Sequence, residues 1–391
     1  MSKNIRPAST ARGFTLVELM IALLIGLIIS IGVVQIFSAT RATYQLDESL
    51  ARAQENGRFA LEFLSQDIRH AGYAGCKRDT TVTIFNTLAT PTTAGLPLMG
   101  VSGAEYIAQA TGINDTYSLA PTPANTASGW SPALTGVTGA MTGAMTGALP
   151  GTDVIALQRM VPNSWTLVAP FVTPDNVFLH PDFVNRVADK DVLMVADCRN
   201  AAVFMVTVIT PAGVIDHTAG TATNRCGRWE ANLAGSGNAA TAVCTDVFAY
   251  DPVSTTAFGK LETVVYFVAN DNNRPTLFRR VIQPTGVPDL PTALVEGVEN
   301  FQVLYGVDDG LPADGAADRY VTANGVADFS KVVSVQIGLL VYGVNATGTA
   351  NDTAFDTNTH NVAGTNIVPA VNSTRKRRVF NTTIQLRNRS F

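Results

Sequence analysis

Arg12-Gly13-Phe14-Thr15-Leu16-Val17-Glu18 joins a short basic leader to a long apolar run that carries one carboxylate near its start. From Phe14 to Ala39 the only ionisable side chain is Glu18, and Leu19 to Val34 is almost wholly Leu, Ile, Val, Met, Ala and Gly. At about 1.5 Å per residue, a helix of this length crosses a hydrocarbon core of about 30 Å. Lys3, Arg6 and Arg12 precede it with no acidic residue among them. The positive-inside bias therefore holds the first residues in the cytoplasm and sends the remainder outward.

A secretory signal peptide places small residues after its apolar core, where cleavage frees the mature chain. Here Gly13 stands before the core, so cleavage after it removes only the leader and leaves Phe14 as the new amino terminus of an intact hydrophobic helix. Glu18 sharpens the point, because a carboxylate at membrane depth costs roughly 2.5 to 3.5 kcal/mol on insertion scales and calls for a partner. An ordinary signal anchor gives no reason for it. These residues resemble the class III leader of type IV pilins and pseudopilins. That resemblance implies cleavage after Gly13 by a prepilin peptidase, N-methylation of Phe14, and pairing of Glu18 with the Phe14 amine of a neighbouring subunit.

Beyond Ser38 the pattern turns amphipathic. Leu46, Leu50, Ala53, Gly57, Leu61, Leu64 and Ile68 recur three or four residues apart, with Arg41, Asp47, Glu48, Arg52, Glu55, Arg58, Glu62, Asp67 and Arg69 between them. The spacing predicts one continuous helix from about Phe14 to His70, ended by Gly72 as a C′ glycine. The charged residues are expected to face water or neighbouring subunits. Gly26 and Gly32 are read as close-packing positions between helices in lipid rather than as a hinge.

The 391 residues are 15% charged and 46% hydrophobic, enough to bury a real core in one large domain or two small ones. The net charge of −4 becomes −7 once Lys3, Arg6 and Arg12 leave with the leader, which does not suit a general nucleic-acid binder. The reading divides the chain into a cleaved leader (1–13), a transmembrane and filament-core helix (14–39), an amphipathic continuation (40–72) and an exported β-rich domain (73–391), with insertions near 77–150 and 345–375. After Gly72, short β-branched runs predict strands at Asp153 to Gln158, Asp191 to Ala196, Val203 to Ile209, Glu262 to Ala269, Thr276 to Gln283, Val332 to Tyr342 and Val379 to Leu386. The two strands flanking Asn270 to Pro275 read as a hairpin. The predicted fold class is α+β: a long helix packed on an antiparallel sheet. Thr138 to Leu149, a Thr-Gly-Ala-Met repeat, reads as a surface loop, with an adhesive or partner-binding tip as the alternative. Thr347 to Thr374 reads as a second exposed excursion.

Four cysteines, Cys76, Cys198, Cys226 and Cys244, lie in the exported part, where an oxidising compartment favours two disulfides out of three pairings. The reading leans to Cys226 with Cys244 and Cys76 with Cys198. Zinc is disfavoured by the wide spacing and the lack of a nearby His pair. Asp308, Asp309, Asp314 and Asp318 share a Gly-rich loop that could supply part of a calcium shell, although it lacks EF-hand spacing and a solvated turn is the simpler reading. Arg375-Lys376-Arg377-Arg378 is the strongest basic cluster. It reads first as charge protecting a terminal strand from edge pairing, and second as a polyanion contact. No catalytic spacing occurs around His70, His180, His217 or His360, so an enzyme and a cofactor are not expected.

Further stretches resemble one pilin-like family, the PilW minor pilins. They are Asp67 to Cys76, Ala196-Asp197-Cys198, Leu294 to Phe301 with Tyr305-Gly306-Val307-Asp308, and Val379 to Asn388. The resemblance implies a minor pilin that primes or supports pilus assembly at the bacterial inner membrane, with its domain in the periplasm and then at or near the pilus tip. Its implied partners are other minor pilins, the major pilin, prepilin peptidase, the inner-membrane assembly platform and a tip adhesin, with nucleic acid not expected as the main partner. Motility, adhesion and DNA uptake are the processes so served. A type II secretion pseudopilin of the J class shares the leader and helix but usually has a smaller head. A pilin-anchored adhesin or DNA-binding receptor is the alternative of another class.

Overall fold

The computed structural model describes residues 15–75, 83–88, 100–109, 111–120, 126, 128–132, 147–161, 165, 167–172, 176–196, 200–217, 224, 257–282, 291–343 and 355–388. Its first element is the helix α1, Leu16–His70, unbroken through Gly26 and Gly32. At about 1.5 Å per residue its 55 residues span roughly 80 Å. The helix ends as its sequence predicts. The Ala71 N–H returns to Ile68 O at 3.1 Å and Gly72 takes a φ of +77°, a value that side chains disfavour and glycine accepts.

After the helix come β1 (Thr83–Asn86), β2 (Gly100–Tyr106), β3 (Thr116–Ser118), β4 (Trp130–Ser131) and β5 (Val154–Met160). Next are β6 (Leu167–Val172), β7 (Asn176–Leu179), β8 (Val192–Ala196), β9 (Asn200–Met205), β10 (Val208–Ile209) and β11 (Val214–Asp216). The long strands follow: β12 (Ala257–Asp271), β13 (Arg274–Ile282), β14 (Thr292–Glu296) and β15 (Val298–Val307). Last are β16 (Arg319–Val321), β17 (Val332–Tyr342), β18 (His360–Val362), β19 (Thr365–Val368) and β20 (Arg377–Gln385).

The largest sheet runs β1-β9-β8-β12-β5-β2-β4, with β13 and β14 branching from β12. A second runs β16-β15-β17-β20, and two smaller sheets are β10-β11-β7-β6 and β18-β19-β3. Pairing is antiparallel except for β1 with β9 and β3 with β19. The architecture is therefore α+β and pilin-like, a long helix laid on antiparallel sheets.

Val332 to Tyr342 coincides with β17 at both ends, and the other predicted strands are present with shifted ends, except that Val203 to Ile209 divides between β9 and β10. The predicted hairpin is β12–β13, whose turn residues Asn272 and Asn273 have φ of 50° and 63°. Left-handed backbone at both central positions is what a tight two-residue hairpin requires. One central strand, β15, has no counterpart among the predicted strands. Glu299, Asn300 and Gln302 interrupt its apolar pattern, yet all ten of its residues are buried. Their polar groups are matched: Asn300 Nδ2 and Gln302 Nε2 donate to Gly151 O at 2.7 and 2.8 Å, and Glu299 meets two arginines.

The main core joins the helix to two sheets. Ala53, Ala60, Leu64 and Ile68 of α1 pack with Leu157 and Tyr266 of the large sheet and with Val303, Leu339 and Ile384 of the second. A satellite core around Phe204, Ile215 and Phe258 serves the β10-β11-β7-β6 sheet. The expected excursion Thr347 to Thr374 is not simply exposed. From residue 355 it forms the β18–β19 hairpin, which buries Val362, Ala363 and Ile367 against Leu340 and Val379. The repeat Thr138 to Leu149 lies mostly outside the described residues, although Ala148 and Leu149 at its end are buried.

Candidate functional site

The helix start carries the one acidic side chain of the apolar segment. Thr15 caps the helix, its Oγ1 accepting the Glu18 N–H at 3.2 Å, while Glu18 Oε2 accepts both the Thr15 N–H and the Thr15 hydroxyl at 3.0 Å. This is a reciprocal capping box. The pattern Thr-x-x-Glu before an apolar run signals it in the sequence, and the reading above does not use it. Both bonds fall on Oε2, so among the described residues Oε1 accepts none. Gly13 and Phe14, the expected cleavage and methylation positions, lie outside the described residues.

From Leu16 to Phe37 every large apolar side chain is more than half exposed, and a Cβ at Gly26 or Gly32 would meet nothing within 4 Å. The best window of this helix has a mean hydropathy of 2.7, long and apolar enough to cross a membrane. Among the described residues nothing in the head covers this half of the rod.

The second half is seated on the head by contacts that run in order along it. Gly343 lies so close to Ser49 that a Cβ there would sit 1.8 Å from Ser49 O, Gly57 faces the Phe380 ring, and Asn388 Nδ2 donates to Arg69 O and Ala71 O at 3.4 and 3.2 Å. Asn388 thereby satisfies carbonyls that a helix end leaves open. Asn56 Nδ2 adds a bond to Glu296 O at 2.9 Å.

Asp67 departs from expectation. It is buried, because three groups of the large sheet converge on it: Arg159 Nη1 at 2.8 Å, Arg279 Nε at 2.9 Å and the Tyr266 hydroxyl at 2.7 Å. Burial pushes its carboxyl up, but the bonds from Tyr266 and Arg279 and the nearby charges of Arg159 and Arg279 outweigh this and hold it below the ordinary aspartate range. The mostly exposed flank of Arg and Glu residues on this helix follows the predicted pattern.

The basic cluster also turns inward. Arg377 is buried, with Nε to Glu299 Oε2 at 2.5 Å and Nη1 to Asp356 Oδ2 at 3.0 Å, and Arg375 Nη1 reaches Glu299 Oε1 at 2.6 Å. These arginines tie the segment before β20 to β15 and to Asp356, so two of the four charges considered for a polyanion are committed inside the domain. Arg378 is exposed.

The acidic loop is self-contained. Asp308 Oδ2 accepts the N–H groups of Asp314 and Gly315, and Asp318 Oδ2 those of Asp309 and Gly310. Asp309 pairs with Arg319 at 2.8 Å, and Asp314 Oδ1 accepts from Ala316 N at 2.9 Å. The carboxylates point at the loop's own backbone instead of converging, and among the described residues no three acidic, His or Cys side chains form a metal cluster. Cys76, Cys198, Cys226 and Cys244 lie outside the described residues.

A rod that is apolar and uncovered in its first half and seated on an antiparallel sheet in its second defines a pilin-class protein. Residues 9–34 match the prokaryotic N-terminal methylation motif, and residues 265–388 match the family described as Type IV Pilus-assembly protein W, PilW. The C-terminal part of the chain thus matches the PilW family of type IV pilus assembly proteins, and its start carries a prepilin-type motif. The matched family is one of structural, non-enzymatic pilus proteins. No curated protein and no solved structure matches it. The PilW match takes in β13 to β20 and Asn388, so it covers most of the strands on which the helix is seated, β5 lying outside it.

Proposed function

We propose that this chain is a minor pilin that primes or supports type IV pilus assembly at the bacterial inner membrane and stays at or near the pilus tip. There it serves twitching motility, adhesion or DNA uptake. One observation carries the reading: an apolar half-helix that no described residue of the head covers, reached through a prepilin-type motif, continues unbroken into a head whose later strands match PilW. Prepilin peptidase cuts after Gly13 and the new terminus is N-methyl-Phe14. Glu18 then has two duties. It caps its own helix through Oε2, and Oε1 is open to the terminal amine of a neighbouring pilin, which offsets the cost of a carboxylate at membrane depth. The other minor pilins, the major pilin and the inner-membrane assembly platform are its partners.

Intact mass and N-terminal analysis of the protein from its native membrane test the pathway. A chain beginning at N-methyl-Phe14 is expected, and one retaining Met1 to Gly13 refutes processing. Glu18→Ala is expected to leave membrane insertion intact and to impair incorporation into pili. Normal incorporation of that variant removes the charge pair from the account.

A further inference from the structure

Among the described residues the strand β20 is an open sheet edge of unusual length for this head. It pairs with β17 through nine consecutive residues without a bulge, whereas the other edge strands among the described residues are two to six residues long. The bond from Leu386 N to Val333 O at 2.9 Å fixes the phase of the ladder. Phe380, Thr382 and Ile384 therefore exchange bonds with β17, while the N–H and C=O groups of Val379, Asn381, Thr383 and Gln385 point away from it. Among the described residues no hydrogen bond reaches those outward groups. Native proteins blunt such edges with proline, bulges or inward charges. Between Val379 and Leu386 there is none of these. The arginines that would have guarded the edge, Arg375 and Arg377, are committed to Glu299 and Asp356. Exposed Arg378 and Arg387 remain at its two ends.

We infer that β20 is completed in the assembled pilus by an extended segment from a different pilin subunit, added as a further strand with neutral residues at its centre and acidic residues toward its ends. This rests on the assembly reading above, which supplies the occupant. A second copy of this chain does not suit. Contacts in the order Ser49 with Gly343, Gly57 with Phe380 and Arg69 with Asn388 show that β20 runs parallel to α1. Antiparallel self-pairing would thus point the two apolar helices in opposite directions and bring Arg378 toward Arg387. Parallel self-pairing would set each of these arginines beside its own copy, and like charges side by side on paired strands repel. Main-chain bonds supply the affinity in strand addition, and side chains select the partner. The two arginines make that choice electrostatic.

The test compares residue-resolved deuterium exchange of the complete processed chain alone in detergent and in the complex co-purified with other pilins from its native membrane. In detergent the amides of Asn381, Thr383 and Gln385 are expected to exchange fast and those of Phe380, Thr382 and Ile384 slowly. In the complex the first set is expected to slow by at least about tenfold. A complex that forms with those amides still fast overturns the inference and leaves the assembly reading standing. A chain that co-purifies with no pilin subunit overturns both. Protection already present in detergent assigns the edge to a second copy, or to this chain itself, and overturns it too. Thr383→Pro removes one outward N–H without touching the β17 ladder, and is expected to lower recovered complex about tenfold while Thr383→Ala does not. Should the proline variant fail to fold, the exchange pattern of the unaltered chain decides.

Discussion

The ring of Phe380 occupies the space that a side chain at Gly57 would need: a Cβ there would lie 2.3 Å from Phe380 Cε2 and 2.4 Å from Cζ. The glycine lets the rod and β20 touch through backbone and ring, within the seated half of the helix. Gly57→Ala would gain about 1 kcal/mol of helix propensity but would lose roughly 1 to 3 kcal/mol to overpacking. Net destabilisation of about 1 kcal/mol is expected in denaturant titration. Phe380→Ala in the same chain should return part of that loss, and strict additivity of the two changes would show that the contact is not shared.

Asp67 gives the rod an acid-sensitive fastening. Its folded carboxyl sits below the ordinary value, so the stability it contributes is present above about pH 4 and is lost as pH falls through the folded value. Asp356, held down against burial by bonds from His360 and Arg377, adds to the same window. Asp67→Asn leaves Arg159 and Arg279 facing a neutral amide and should cost roughly 3 kcal/mol near neutral pH. Its acid dependence should flatten. A variant with the wild-type acid profile would place the titration elsewhere.

The opposite dependence is expected from Glu105 and Asp153. Glu105 Oε2, Asp153 Oδ1 and the Tyr305 hydroxyl are buried with no partner, while Asp153 Oδ2 accepts the Val303 N–H at 2.8 Å. A proton held between the two carboxyls accounts for the orphaned oxygens. Burial pushes Glu105 up to about 7, against bonds from Thr111 and Asp153, and drives Asp153 well above its usual range. Because the folded state keeps a proton that the unfolded chain releases near pH 4.5, stability falls as pH rises from there to about 7. The loss is on the order of 3 kcal/mol. Thermal melts at pH 5 and pH 8 should differ accordingly, and Glu105→Gln should narrow the difference without abolishing it, because burial still holds Asp153 up. Equal melts of the unaltered chain would exclude a shared proton.

Arg377 closes the segment carrying the β18–β19 hairpin. It donates to Glu299, Asp356 and, at 2.8 Å, to Ser373 Oγ. Arg377→Ala leaves Asp356 and Glu299 buried with fewer counter-charges and should cost about 3 kcal/mol. The first protease cuts are expected between Phe355 and Arg375, before any cut in β15 or β17. Cleavage that begins in the large sheet would mean the hairpin is held by Val362 and Ile367 alone.

Fold and helix were legible because their signals are periodic. The apolar run, the three-and-four spacing up to Ile68 and the stop at Gly72 specify the rod, and alternating β-branched residues specify β12, β13 and β17. What escaped was polar burial. Asp67 reads as a surface charge until Arg159, Arg279 and Tyr266, all far away in sequence, are brought to it. Glu299 and Arg377 hide β15 and the role of the basic cluster for the same reason: a single sequence shows charges but not their partners. Glu18 was legible as an anomaly in lipid, and its cap on Thr15 was within reach as well, since Thr-x-x-Glu is a local signal.

Because β20 lies beside α1 and supplies Ile384 to the main core with Leu386 just after it, a strand made long after the helix completes the surface that the helix rests on. A prematurely ended chain would insert its helix normally yet offer Leu64 and Ile68 nothing to lie against on that side. Such a product would be a membrane-held rod with an unfinished head, open to proteases. The fold thus makes synthesis through β20 a condition of becoming a usable subunit, a proofreading of the message by the protein's own architecture.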